Sequence, residues 1–289
     1  HKAVHHEFKP APRHKGKYNN IKVPKPVSFA NTEENYRGKP DWVRRQRDSW
    51  HGVDGMYNHD FDFDQFYRDY CETVCGVDDS IGRLMDTLEQ QGLAEDTLVI
   101  FMGDNGFLFG EHGLIDKRCM YEPSIRVPMI AHCPALTKGS AVEERMTLNI
   151  DIAPTILDAA GVQVPGNMHG LSFMPLIRRQ NTAWRTEFLY EYFWERAFPQ
   201  TPTVLGLRTD QYSFMRFQGI WDLYELYDMQ KDPDQMSNLL GDVRLTTQAG
   251  DVLNQIRDSD MKNMVQGFQN KLFGILRETE GRIDPTWSM

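Results

Sequence analysis

The chain has 289 residues, 40% of them hydrophobic and 25% charged. That balance suits a globular protein of one large domain or two smaller ones and excludes a low-complexity chain. Formal net charge is −9, yet residues 1–50 carry 12 Lys/Arg against 5 Asp/Glu, so the acidic excess lies beyond residue 50. No apolar run approaches the length of a bilayer span, and no signal-like apolar core follows His1. The basic start either attracts an anionic polymer or is a solvated loop. Without regular aromatic interleaving or a nucleic-acid motif, it does not indicate nucleic-acid binding.

Between Phe8 and Trp50, five prolines, many charges and little periodicity predict an extended excursion over the surface. From Phe66 the pattern turns helical: Tyr67, Tyr70, Val74, Val77, Ile81, Leu84, Met85 and Leu88 recur at helical spacing until Gly92, a C-terminal cap. Cys71 and Cys75, one turn apart, read as small core residues. Four cysteines in a chain this long, with no Cys-x-x-Cys, make neither a disulfide scaffold nor a zinc site. Leu98–Met102 is a five-residue apolar run that predicts a strand covered on both faces, as in a parallel sheet. A second strand is expected over Val127–His132. Asp151 predicts the cap of a helix from Pro154 to Gly161. Beyond residue 178 the texture becomes β-rich, with strand-like runs Phe188–Trp194, Val204–Arg208, Tyr212–Phe217 and Tyr224–Tyr227. One long helical pattern follows, from Val252 to Leu276. These elements predict an α/β domain over residues 1–178 and a smaller antiparallel sheet packed by a helix over residues 179–289.

The most informative stretch follows the Leu98–Met102 strand. In open α/β sheets, ligands bind just past the carboxyl ends of strands, where Asp104 and Asn105 fall. Both offer oxygens suited to a hard divalent cation, although Asp-Asn-Gly taken alone is also a good turn sequence. Asp104-Asn105-Gly106, Gly110-Glu111-His112-Gly113, Asp116-Lys117-Arg118 and Met120-Tyr121-Glu122-Pro123-Ser124-Ile125-Arg126-Val127-Pro128 follow in order. Together they resemble the second signature block of the type I, formylglycine-dependent sulfatases. His1-Lys2-Ala3-Val4-His5 with Phe8-Lys9-Pro10-Ala11-Pro12-Arg13 is similar to that family's histidine segment. Asn149-Ile150-Asp151-Ile152-Ala153-Pro154 and Glu225-Leu226-Tyr227-Asp228 resemble its later landmarks.

The resemblance implies an alkaline-phosphatase-like sandwich with a smaller C-terminal antiparallel sheet plus helix subdomain, and hydrolysis of sulfate esters. It implies Asp104 and Asn105 as ligands of a divalent metal, calcium in the family, and Lys117 as a positive charge on the sulfate. It also implies His5 as the group that protonates the leaving oxygen, with His6 as the fallback because the register of this histidine-rich start is ambiguous. His112 either lines the substrate pocket or hydrogen-bonds its own loop. Glu122 and Arg126 are expected to form an ion pair holding the Lys117 loop, and Asp78 and Asp79 to be capping or surface groups. The family's nucleophile motif, Cys-x-Pro-x-Arg or Ser-x-Pro-x-Arg, does not occur in this sequence. The expectation is therefore a C-terminal portion, with the formylglycine and the remaining metal carboxylates on the N-terminal portion of the same enzyme, which becomes a partner of this chain. Targeting information is then silent here, and a periplasmic, extracellular or lysosomal setting is implied by the family only. Trp184-Arg185-Thr186-Glu187 through Tyr190-Glu191-Tyr192-Phe193-Trp194-Glu195 is similar to the branch with N-acetylglucosamine-6-sulfatases, making a sulfated carbohydrate the implied substrate. Aromatics there either stack on sugar or pack the core. Competing readings are a phosphatase or phosphonate hydrolase on the same fold and a non-catalytic sulfated-glycan-binding module.

Overall fold

A computed structural model describes residues 2–58, 62–137, 139–218, 224–243 and 251–279. The early segment is more than a surface excursion. Two short helices, α1 (Glu33–Tyr36) and α2 (Asp41–Gln46), interrupt it. Thr32 caps α1 by accepting from the Asn35 backbone N–H. Tyr36, Trp42 and Val43 are buried in the largest core cluster, where Trp42 meets Phe217 edge-on at 5.7 Å. Two adjacent apolar residues, Trp42 and Val43, anchor the segment without producing any periodicity.

The helix α3 (Phe63–Gln90) starts at Asp62, whose carboxylate accepts from the Asp64 N–H, and stops just before Gly92 at φ 68°. Its beginning is held by Phe63 and Phe66 against Val23, Met56 and Ile115, whereas Val74 and Leu84 further along are exposed.

Strand β1 (Val99–Met102) pairs antiparallel with β2 (Met129–His132), after the short helix α4 (Glu122–Ile125). This departs from the doubly covered parallel strand expected from its composition. Among the described residues β1 has one neighbour and is half-buried along its length. Ile100, Met129 and Ala131 pack on Phe173 and Met174, while Ile130, which alternates to the other face, is exposed.

Helix α5 (Ile152–Ala159) forms where expected, but Asp151 does not cap it through its side chain. Its carboxylate, fully buried, accepts from the Leu148 and Leu171 N–H groups and pairs with Arg185 at 2.7 Å. A buried charge satisfied by a guanidinium and two amides is a fixed joint. It ties the α5 region, followed by α6 (Met174–Ile177), to the entry of the second sheet.

That sheet has the order β3 (Glu187–Tyr192), β4 (Val204–Thr209), β5 (Tyr212–Phe217), β6 (Glu225–Asp228), antiparallel throughout. Both faces are covered. Leu205 and Leu207 meet Leu272 and Leu276, while Val204 and Met215 join Leu114, Met120 and Tyr121. Gly206 makes this second contact feasible, because a Cβ there would sit 1.9 Å from the Met120 Sδ. The expected long C-terminal helix is two helices, α7 (Asp251–Gln255) and α8 (Ser259–Glu278). Asp258 restarts the second by accepting from the Met261 N–H. The sheet is thus pressed between α8 and the loop carrying residues 108–121, so the later part of the chain supports the site directly.

Candidate active site

The end of β1 runs into a turn that only glycine allows at one point: a Cβ on Gly106 would lie 2.1 Å from the Pro123 carbonyl oxygen. Asp104 sits exposed at the strand end, and its Oδ1 accepts from the Asn105 N–H at 3.0 Å. Asn105 is fixed from both sides. Its side-chain amide donates to the Gly106 carbonyl at 2.7 Å, and its Oδ1 accepts from Lys117 Nζ at 3.1 Å. The structure therefore joins Asn105 and Lys117, twelve residues apart in sequence, by one hydrogen bond, with Asp104 bonded to the Asn105 N–H beside them.

Asp116 sets the position of Lys117. Its carboxylate, 1% exposed, accepts from the Lys117 backbone N–H at 2.7 Å, from Arg118 at 2.9 Å and from Gln46 at 2.9 Å. His51 Nδ1 lies 3.9 Å from the same carboxylate, and burial lowers its pKa against the opposing pull of Asp116. The Arg118 guanidinium lies over the Phe198 ring at 3.4 Å. Neither Asp116 nor Arg118 has a role assigned from sequence. The available signal was a run of three charges directly after the buried pair Leu114-Ile115.

On its other side the loop is pinned to the second sheet. Tyr121 donates to Glu225 Oε2 at 2.8 Å, and the Glu122 N–H donates to Gln235 Oε1 at 2.7 Å. Glu122 pairs with Arg208 at 3.0 Å, a closer partner than the expected Arg126, which lies 3.9 Å away and is mostly exposed. Asp79 holds Arg13 and His14, in keeping with a surface role.

His112 is not placed to touch a substrate. Its ring is 1% exposed and packs on Tyr121 with centroids 4.2 Å apart. Its N–H donates to Ser28 Oγ and its carbonyl accepts from the Tyr36 hydroxyl. At φ 54° it turns the backbone sharply. Of the two roles open to it, the geometry supports holding the loop. Burial drives its pKa well below the usual histidine value, with Lys39 adding to the effect. Below about pH 6.5 the unfolded chain then binds a proton that the folded chain refuses, so stability falls as pH falls, by up to about 1.4 kcal/mol per pH unit for one such group. Urea midpoints at about pH 7.5 and about pH 5.5 are expected to drop less for His112→Gln than for the parent chain. An unchanged drop would remove His112 from the acid response.

His5 is exposed, and its Nδ1 bonds locally to the His6 carbonyl at 2.8 Å, not to the Lys117 group. His6 stacks on Tyr57 at 4.1 Å and 7°, and burial lowers its pKa. Tyr57 leads on towards the Lys117 loop: its hydroxyl, pushed up to about 12 chiefly by burial, feels both Asp116 and Arg118. The histidine segment thus reaches the site's flank through His6. In the aromatic stretch, Tyr190 and Tyr192 pack against the core, whereas Phe193 and Trp194 are exposed.

Asp104 and Asn105 are hard oxygen donors at a strand end, the right type for calcium or magnesium. Among the described residues no cluster of three or more His, Cys, Asp or Glu is arranged to hold an ion. They fit as part of a shell that takes six or more oxygens.

Comparison with known proteins identifies the family. Residues 10–162 match the sulfatase family, and residues 110–263 match N-sulphoglucosamine sulphohydrolase, C-terminal. The N-acetylglucosamine-6-O-sulfatase of Bacteroides thetaiotaomicron is 30% identical over 83% of this chain and 53% of its own length. The N-acetylglucosamine-6-sulfatase of Homo sapiens is 29% identical over 82% and 47%. The chain spans about half the length of these curated relatives. The solved structure of BT4656 in complex with its substrate D-glucosamine-2-N,6-O-disulfate superposes with a TM-score of 0.82 at 26% identity, over 96% of this chain and 64% of that one. A phosphonate monoester hydrolase of Agrobacterium radiobacter, at 21% identity and TM-score 0.70 over 89% and 52%, shares the fold. A match over more than half of its length, with the signature residues meeting at the end of β1, shows that the chain belongs to the sulfatase family and has its alkaline-phosphatase-like α/β architecture.

Proposed function

We propose that this chain is the C-terminal portion of a sulfatase that hydrolyses sulfate esters on a sulfated carbohydrate. The observation that carries the proposal is the Lys117 Nζ to Asn105 Oδ1 contact of 3.1 Å beside Asp104, which puts a fixed positive charge next to two hard oxygen donors. Such a group suits an anion whose charge grows in the transition state. The sugar-sulfatase names of the relatives and the disulfated glucosamine in BT4656 support the substrate class.

Lys117 neutralises a sulfuryl oxygen, with Asp116 and Asn105 holding its backbone and its ammonium in place. His5 gives a proton to the departing sugar oxygen, with His6 and Tyr57 supporting the segment. A divalent cation, calcium by family resemblance, would be held by Asp104 and Asn105 and would supply further charge neutralisation. The nucleophile, a formylglycine in the family, belongs to the N-terminal portion of the enzyme.

The test compares two forms. The 289-residue chain alone is expected to show no turnover of an aryl sulfate and weak calcium binding by calorimetry, because two donors are far short of a full shell. A longer protein that includes the N-terminal portion is expected to turn over a sugar sulfate. Sustained, metal-dependent turnover by the chain alone would refute the divided site. The fold shared with phosphonate hydrolases keeps one other activity in view: preference of the longer protein for a phosphonate monoester over every sulfate ester would replace the sulfatase reading.

A further inference from the structure

A cleft lies between residues 14–24 and residues 67–79 of α3. It encloses about 740 Å³ and shares no lining residue with the Lys117 group. Its volume falls in the range that holds a small molecule. The walls carry three tyrosine rings, Tyr18, Tyr67 and Tyr70, and both thiols of α3. The sequence suggested that Cys71 and Cys75 are core residues, but both are half-buried free thiols on this wall. The other two cysteines, Cys119 and Cys133, are buried.

The two cleft thiols are not equivalent. Burial, followed by the neighbouring Cys75, pushes the Cys71 thiol up. Cys75 instead has the Lys17 ammonium at 3.5 Å and the Tyr18 hydroxyl at 3.5 Å from its sulfur. The loop that supplies these groups is held to α3: the Tyr18 N–H donates to Glu72 Oε1 at 3.2 Å, and Arg68 donates to the Ile21 carbonyl at 3.1 Å. Arg13 and His14 are taken up by Asp79, so Lys17 is the cation directed at the sulfur. A partly exposed thiol beside an ammonium is the setting in which cysteines react.

We propose that Cys75 is a modification site that forms a mixed disulfide with a small peptide-like disulfide carrying carboxylates. The deprotonated Cys75 sulfur attacks one sulfur of the incoming R–S–S–R, so that a Cys75–S–S–R bond forms as the R–S–S–R bond breaks. The departing R–S⁻ takes a proton from solvent, and the Cys75 proton has gone to solvent beforehand. Cys75 is oxidised and one half of the incoming disulfide is reduced. The Lys17 ammonium, 3.5 Å from the attacking sulfur, is also in place to pair with a ligand carboxylate, and the tyrosines offer flat contact to the peptide backbone.

Oxidised glutathione is the probe, with peptide mapping by mass spectrometry as the readout. In the native chain, Cys75 is expected to acquire glutathione at least about threefold faster than Cys71, with Cys119 and Cys133 silent. Lys17→Met is expected to slow Cys75 at least about threefold in the native chain and to leave its rate in urea unchanged. Tyr18→Phe, which keeps the ring and removes the hydroxyl, is expected to slow it by less. The same ranking is expected in the longer protein. Equal native rates at Cys71 and Cys75, no effect of Lys17→Met, or protection of Cys75 in the longer protein would each overturn the proposal.

Discussion

In the longer, active protein, Lys117→Ala is expected to lower kcat/KM on sulfate esters at least about a hundredfold, the scale of losing one preorganised group that stabilises transition-state charge. The geometry makes this a clean substitution. The contacts that shape the loop run through the Lys117 backbone N–H to Asp116 and through Tyr121 to Glu225, and neither needs the lysine side chain. What is removed is the ammonium 3.1 Å from Asn105 Oδ1. Since the proposed target is the sulfuryl group itself, the loss is expected to be similar for an activated nitrophenyl sulfate and for a sugar sulfate. Thermal unfolding of the variant alongside its kinetics separates charge from fold. A loss below about tenfold on both substrates, with folding intact, would take Lys117 out of the transition state.

What the sequence made legible follows from which interactions are local. The β5 strand was readable because Tyr212–Phe217, a short aromatic-rich run bounded by turn residues, is a pattern of adjacent residues, and α3 because its stripe recurs every turn. The meeting of Asn105 with Lys117 was readable through motif resemblance, since nothing in the spacing of twelve residues requires a loop to turn back. Pairing direction was not readable. Leu98–Met102 is apolar enough for a doubly covered parallel strand, yet its described neighbour is antiparallel β2, because composition reports burial demand and not the partner that meets it. Asp151 misled for a related reason. An aspartate before a helix is a good cap, but Arg185, thirty-four residues on, offers a stronger charge-assisted contact. His112 shows the limit for function: a histidine between two glycines reads equally as a ligand contact or a loop joint, and only the packing of Tyr121 on its ring decides.

The leaving-group test on His5 carries the second large effect. A positioned general acid contributes about 10²–10⁴-fold when the leaving alcohol has a high pKa, and much less when the leaving group is an activated phenol. His5→Ala in the longer protein is therefore expected to lose at least about a hundredfold in kcat/KM on a sugar sulfate and only a small factor on nitrophenyl sulfate. The neighbouring His6 serves as the control. It is stacked on Tyr57 and its pKa is lowered by burial, so it holds a proton less readily at neutral pH than an ordinary histidine. His6→Ala is expected to reduce stability through the lost stacking while treating the two substrates alike. Equal losses on both substrates for His5→Ala would leave it only sulfate binding or pocket structure. A substrate-selective loss in His6→Ala would transfer the acid role one residue along, to the ring that the structure already stacks on Tyr57.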